Sequence, residues 1–228
     1  MIFKKYKFDE LQHRVKNMGA YPLDILVVGV TGAGKSTTMN ALFGTDIAKV
    51  GDGVDPETMQ LSPYRLNDYF RIWDSPGLGD GRAKDLVHSK AITDILYRTY
   101  KLDNQEYGLI DLVLVVIEGA NRDMGTTYKL LNDVIVPNFQ SDRIIIATNQ
   151  ADFAMKGRHW DYDRNQPLPK LSAFLSEQSE SIKNRVYEGA GVAVDKPIYY
   201  SAAYDYNVDK LMDEIIGKVP LCRRPLVV

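Results

Sequence analysis

Apolar residues recur along this chain in two patterns. Ile25-Leu-Val-Val28, Leu112 to Ile117 and Arg143 to Thr148 are short apolar runs, as expected of strands buried on both faces of a parallel sheet. Tyr69 to Asp74 reads as a further strand. Gln60 to Leu66 reads as its antiparallel neighbour across an Asn67-Asp68 turn, with Pro63 confining that segment to a sheet edge. Pro197 to Tyr200 reads as a short last strand. Helical spacing fills the intervals. Phe8, Leu11, Val15 and Met18 recur at three- and four-residue steps and stop at Gly19, which predicts an amphipathic helix packed on the main body. Further helices are expected from Lys35 to Gly44, around Leu86, Ile92, Ile95 and Leu96, over Thr126 to Val136, over Leu171 to Tyr187 and over Val208 to Val219. Strand and helix alternate almost throughout. The prediction is a doubly wound α/β fold, its mostly parallel six-stranded sheet carrying one antiparallel edge strand.

Two stretches lack a period. Thr45 to Thr58 is polar and punctuated by Gly51, Gly53 and Pro56, a mobile loop by composition. Ala151 to Pro169 is aromatic and charged and is expected to be a surface loop, which Trp160, in Arg158-His159-Trp160-Asp161, would pin to the body.

At 228 residues the chain suits one domain, and Lys plus Arg at 28 against Asp plus Glu at 30 gives a net charge of −2. No large surface for nucleic acid or anionic membrane is advertised. The clusters at Lys4-Lys5-Tyr6-Lys7 and Arg223-Arg224 are expected to be solvated tails. The single cysteine, Cys222, cannot close an internal disulfide, which points to a reducing, cytoplasmic setting. No apolar run approaches the ~20 residues needed to span a bilayer, so membrane insertion is not expected. The opening Met-Ile-Phe-Lys-Lys-Tyr-Lys leads into charged sequence, unlike a signal peptide.

The chemistry is concentrated at the ends of the predicted strands. Gly29-Val-Thr-Gly-Ala-Gly-Lys35-Ser36 follows the first buried run and matches G-x-x-x-x-G-K-[ST]. In that position a glycine-rich turn presents successive backbone N–H groups to a triphosphate at a helix N-terminus. Lys35 would reach the β- and γ-phosphates and the Ser36 hydroxyl would coordinate Mg²⁺. Asp74-Ser75-Pro76-Gly77 ends a later strand, where a carboxylate can hold Mg²⁺ in its outer shell and the Gly77 N–H can meet the γ-phosphate. Thr148-Asn149-Gln150-Ala151-Asp152 ends another. There an Asn amide can serve the acceptor edge of guanine, and Asp152 can accept from its N1 and N2 donors, a pair that adenine lacks. Tyr200-Ser201-Ala202-Ala203 puts small residues at the last strand end, where backbone N–H groups could touch the base's carbonyl oxygen. His13, His88 and His159 share no metal spacing.

Taken in order, these motifs resemble the signature set of the translation-factor-related P-loop GTPases. Lys35-Ser-Thr-Thr-Met-Asn-Ala-Leu-Phe-Gly44 and Asp74-Ser-Pro-Gly-Leu-Gly79 are most similar to the Era-like branch. Within that branch the chain resembles the bacterial YfjP-like GTPases, a group often labelled 50S-ribosome-binding by homology. The resemblance implies a GTPase domain over residues 22–220, with residues 1–21 an N-terminal helical extension and 221–228 a tail. It implies that Gly29, Thr31, Gly32, Ala33, Gly34, Lys35, Ser36 and Thr37 cradle the phosphates of GTP or GDP, and that Asn149, Gln150, Asp152, Ser201 and Ala202 hold the base. Mg²⁺ would lie among Ser36, Asp74 and Thr58, the switch threonine, for which Thr45 is a competing candidate. Lys35, Thr58 and Gly77 would serve hydrolysis.

Three positions depart from the family pattern. Gln150 stands where Lys is usual, Leu78 where Ras-type enzymes have the water-orienting Gln, and Gly32 where the potassium-activated members have Asn. Slow hydrolysis is therefore expected, accelerated only by a protein partner, the ribosome or a second copy of the chain. The alternative is a GTP/GDP-binding assembly module with negligible turnover. An ATP-using kinase or ATPase is disfavoured by Asp152.

Overall fold

The structure, a computed structural model, describes residues 6–19, 22–44, 63–66, 68–102, 104–119 and 124–224; Thr45, Thr58 and Asn67 lie outside them. The chain begins with helix α1 (Phe8–Asn17), strand β1 (Leu23–Gly29), helix α2 (Lys35–Phe43), and the antiparallel pair β2 (Pro63–Arg65) and β3 (Phe70–Asp74). Helix α3 (Arg82–Tyr97) leads to a two-stranded hairpin, β4 (Thr99–Leu102) and β5 (Gln105–Gly108), and then to β6 (Leu112–Glu118). Helix α4 (Gly125–Lys129) runs on as a wider π-helical turn, Leu130–Ile135, before β7 (Ile144–Asn149). The short pair β8 (Trp160–Asp161) and β9 (Gln166–Pro167), α5 (Pro169–Ala190), β10 (Ile198–Tyr199) and α6 (Val208–Lys218) complete it.

The main sheet has the order β10-β7-β6-β1-β3-β2, parallel except for β2 at the edge. This is the predicted fold class, and Pro63 lies on the edge strand, where its missing N–H breaks no central ladder. Every residue of β1 is buried because helices cover both faces. Ile25 and Val27 point with Leu112, Leu114 and Val116 into a layer formed by α1, α2 and α6; Leu26 and Val28 point with Val113, Val115 and Ile117 toward α3, the π-turn and α5. Each such side chain contributes about 1.5–3 kcal/mol when fully buried. Helix α1 sits within the first layer: Leu11 and Val15 are fully buried, and Phe8 packs on Phe70 with ring centroids 5.3 Å apart.

The surface stretch after Asp152 is pinned as expected by Trp160, buried edge-on against Tyr206 at 5.2 Å between centroids, but it also carries the unexpected strand pair β8–β9. One expectation fails: Arg223 and Arg224 are not a solvated tail; both are buried. Arg223 donates to Asp111 and to the Pro22 carbonyl and lies 3.6 Å from Asp24, while Arg224 donates to the carbonyls of Ile110 and Leu96. Charge explains the burial. Asp24 and Asp111 sit at the amino ends of β1 and β6 with no solvent exposure, and a buried carboxylate requires a cation beside it. Arg71 supplies a second cation through a bidentate pair with Asp24, 2.7 Å on each arm.

Candidate functional site

The chain leaves β1 toward β3 on one side and β6 lies on the other, so the order reverses beside β1 and a crevice opens outside the carboxyl ends of the strands. Register places Gly29, Asp74, Asn149 and Tyr199 along that edge: Val27 faces Asp74, Gly29 faces Val116, Glu118 faces Asn149 and Thr148 faces Tyr199. The predicted site residues that the structure describes all gather here.

The turn from Val30 to Gly34 joins β1 to the start of α2. Thr31, Gly32 and Thr37 are exposed, Gly34, Lys35 and Ser36 are half-buried, and Ala33 is buried. Gly34 adopts φ +84°, and a Cβ there would strike the Asn149 amide, so two independent constraints demand glycine. Lys35 turns back under the loop, its Nζ 3.3 Å from the carbonyls of Gly29 and Val30. Burial pushes its pKa down, while the charges of Asp74 and Asp80 draw it up.

Asp74 ends β3 opposite Lys35. Burial pushes its carboxyl up to about 6, against the pull of the Lys35 charge and the Ser75 N–H. Its Oδ1 is buried without a hydrogen-bond partner. Such an oxygen suits a magnesium-bound water, so the residues present fit the ion that the phosphate loop implies. Gly77 packs on Thr31 too closely for a side chain, and Leu78 is 3% exposed in the core.

On the other flank Asn149 is 2% exposed and both ends of its amide are engaged. Nδ2 donates to the Ala33 carbonyl and Oδ1 accepts from the Ala202 N–H, each at 3.0 Å. Asn149 thus ties the phosphate loop to the turn after β10, a role its sequence position did not reveal. Gln150, at φ +61°, donates from Nε2 to the Gly32 carbonyl at 2.9 Å. Asp152 Oδ1 is buried and unpartnered, so a carboxylate oxygen is left for donors such as those of guanine. Ser201 is buried, and its Oγ accepts the Tyr204 N–H at 3.3 Å.

Other contacts escaped the sequence reading. Tyr200 is fully buried and donates to Thr38 Oγ1 at 2.6 Å, and Thr38 in turn donates to the Gly34 carbonyl at 2.8 Å. Thr38 lies one helical turn after Gly34, the spacing at which a threonine bonds back to the backbone. His88 and Asp85 on α3 hold the backbone of Gly77 and Gly79. The signal for His88 was its place on the apolar stripe with Ile92, Ile95 and Leu96.

The sequence model of the 50S ribosome-binding GTPase family matches residues 24–150, more than half of the chain, and the protein belongs to that family. It is similar to two uncharacterized Escherichia coli K12 proteins. YkfA is 28% identical over 149 residues, covering 64% of this chain and 47% of YkfA. YfjP is 22% identical over 183 residues, covering 78% of this chain and 55% of YfjP. The chain spans about half the length of these relatives. Among solved structures, Toc33 from Arabidopsis thaliana, crystallised with GDP and Mg²⁺, shares the fold: TM-score 0.63 and 17% identity, over 96% of this chain and 92% of Toc33. No helix among the described residues is long and apolar enough to cross a membrane.

Proposed function

We propose that this member of the 50S ribosome-binding GTPase family is a Mg²⁺-dependent, guanine-specific switch that hydrolyses GTP to GDP and phosphate slowly. The observation that carries this reading is the pair of orphaned carboxylate oxygens, Asp74 Oδ1 and Asp152 Oδ1, on opposite flanks of one phosphate loop. One suits a metal-bound water and the other the donor edge of guanine. Lys35 countersigns the phosphate charge, and the backbone N–H groups from Gly32 to Ser36, at the N-terminus of α2, orient the phosphates. Ser36, Asp74 and Thr58 would hold the ion, which when bound neutralises charge on the β- and γ-phosphate oxygens. Water attacks the γ-phosphorus in line, and the bond to the β–γ bridging oxygen breaks, leaving GDP and phosphate. The buried Leu78 side chain cannot orient that water, which is why turnover is slow and why a partner is needed for speed. Placement in the Era-like branch, a cytoplasmic setting, and a ribosomal, protein or self-association partner rest on the sequence motifs, the lone Cys222 and the family relationship.

Single-turnover phosphate release tests this directly. Slow release in Mg²⁺, abolished by chelator and by Lys35→Ala, is expected. Release as fast as in GAP-stimulated enzymes would contradict the slow-turnover reading. No release, with GTP still bound, would support the second reading, a GTP/GDP-binding assembly module, which the burial of Leu78 favours.

A further inference from the structure

Segment 77–79, which follows Asp74, is held along both edges. On one side it is zipped to the phosphate loop: Val30 and Leu78 form a parallel bridge, the Thr31 N–H donates to the Leu78 carbonyl at 2.7 Å, and the Leu78 N–H reaches the Gly29 carbonyl at 3.4 Å. On the other side it is held by α3. His88, 8% exposed, places Nδ1 3.0 Å from the Gly77 carbonyl, and Asp85 Oδ1 accepts the Gly79 N–H at 2.8 Å. A carbonyl only accepts, so the imidazole donates from Nδ1. Gly79 and Gly81 adopt φ +109° and +110° with nothing within 4 Å of an added Cβ; backbone conformation, not space, requires glycine there. Two glycine pivots therefore separate the clamped peptides from the body of α3.

We infer that His88 is a positioning residue for the γ-phosphate response: it fixes the peptide joining Gly77 to Leu78, against which the Gly77 N–H must turn to meet the phosphate, and with Asp85 it makes α3 follow the segment when the terminal phosphate arrives. The inference rests on the nucleotide-switch reading above. The argument is one of degrees of freedom. Gly77 has no side chain, and the side chain of Leu78 is committed to the core, so among the described residues the Gly77 torsions are limited by its packing on Thr31 and by the groups bonded to its backbone and to that of Leu78. The phosphate loop supplies one set; His88 supplies the other. GDP lacks the phosphate that Gly77 would sense, so its affinity is insensitive to His88.

The test compares GDP with a non-hydrolysable GTP analogue, in Mg²⁺, on the wild type, His88→Ala, His88→Asn and Asp85→Ala. The Asn variant keeps an N–H donor near the Nδ1 position. His88→Ala is expected to weaken the analogue about two- to tenfold relative to GDP, the range of one hydrogen bond, and to raise KM for GTP by a like factor, since KM reports binding where chemistry is slow. His88→Asn should recover most of both. Asp85→Ala, on the better solvated bond, should shift the same ratio in the same direction, and it carries the test if His88→Ala does not fold. Equal weakening of GDP and analogue, no change in their ratio, or an Asn variant no better than Ala would overturn the inference. A wild type that binds no guanine nucleotide would end the switch reading itself, a failure visible before any substitution is made.

Discussion

The Asn149 side chain spans the phosphate loop and the turn after β10, donating to the Ala33 carbonyl and accepting from the Ala202 N–H, both at 3.0 Å. Removing it unties two walls of one site. Asn149→Ala should reduce GDP affinity by at least about tenfold and stability by roughly 1–3 kcal/mol, because buried donors and acceptors are left unpaired. Titration calorimetry and urea unfolding measure the two effects. Asn149→Asp should be no better, since a carboxylate cannot donate to Ala33.

Asp74 is buried at a cost. Its carboxyl is raised from 3.8 to about 6 by burial, so the folded protein binds that proton more tightly than the unfolded chain does. The stabilisation from protonation is fully present below about pH 4 and is lost as pH rises through about 6. Asp74→Asn removes the loss. The nucleotide-free variant should be more stable than wild type at pH 7.5 by about 1–3 kcal/mol and indistinguishable near pH 4. The same variant should lose Mg²⁺-dependent hydrolysis. Urea midpoints that differ equally at the two pH values would contradict this account of the site.

Leu78→Gln supplies the residue that Ras-type enzymes use, yet it should not accelerate hydrolysis. At 3% exposure the position lies in the core with Trp73 and Ile92. Burying an amide there should cost roughly 1–3 kcal/mol. Faster phosphate release at unchanged stability would show that position 78 can swing out to the site.

Arg223 is held between Asp111, Asp24 and the ring of Tyr100, 5.4 Å from its guanidinium carbon. Arg223→Met should destabilise the fold by about 3–5 kcal/mol, the range for breaking one side of a buried ion pair. Asp111→Asn in that background should recover part of the loss, because it removes the uncompensated charge. Denaturant unfolding of the four proteins in this cycle gives the coupling.

The sheet was legible because its strands are apolar on both faces, and period and length alone identify β1, β6 and β7. That Gly29 to Ser36, Asp74 and Asn149 to Asp152 lie together at the carboxyl ends of strands was legible because spacing after a buried strand constrains their placement. What the sequence hid depends on partners distant in the chain. Two arginines near the end look solvated until Asp24 and Asp111 are seen buried beside them. The β8–β9 pair is too short to show a period, and the acceptor of His88 appears only when α3 brings it to the Gly77 carbonyl. The β4–β5 hairpin was missed because its strands are polar and short, so neither period stands out.

The central claim, a guanine-specific nucleotide site, is tested most directly by titrating the nucleotide-free protein with GDP and with ADP in Mg²⁺, before and after Asp152→Asn. The account predicts that GDP binds much more tightly than ADP and that the substitution abolishes the preference while ADP binding is unchanged. Equal binding of ADP and GDP by the wild type, or a preference that survives Asp152→Asn, would contradict it.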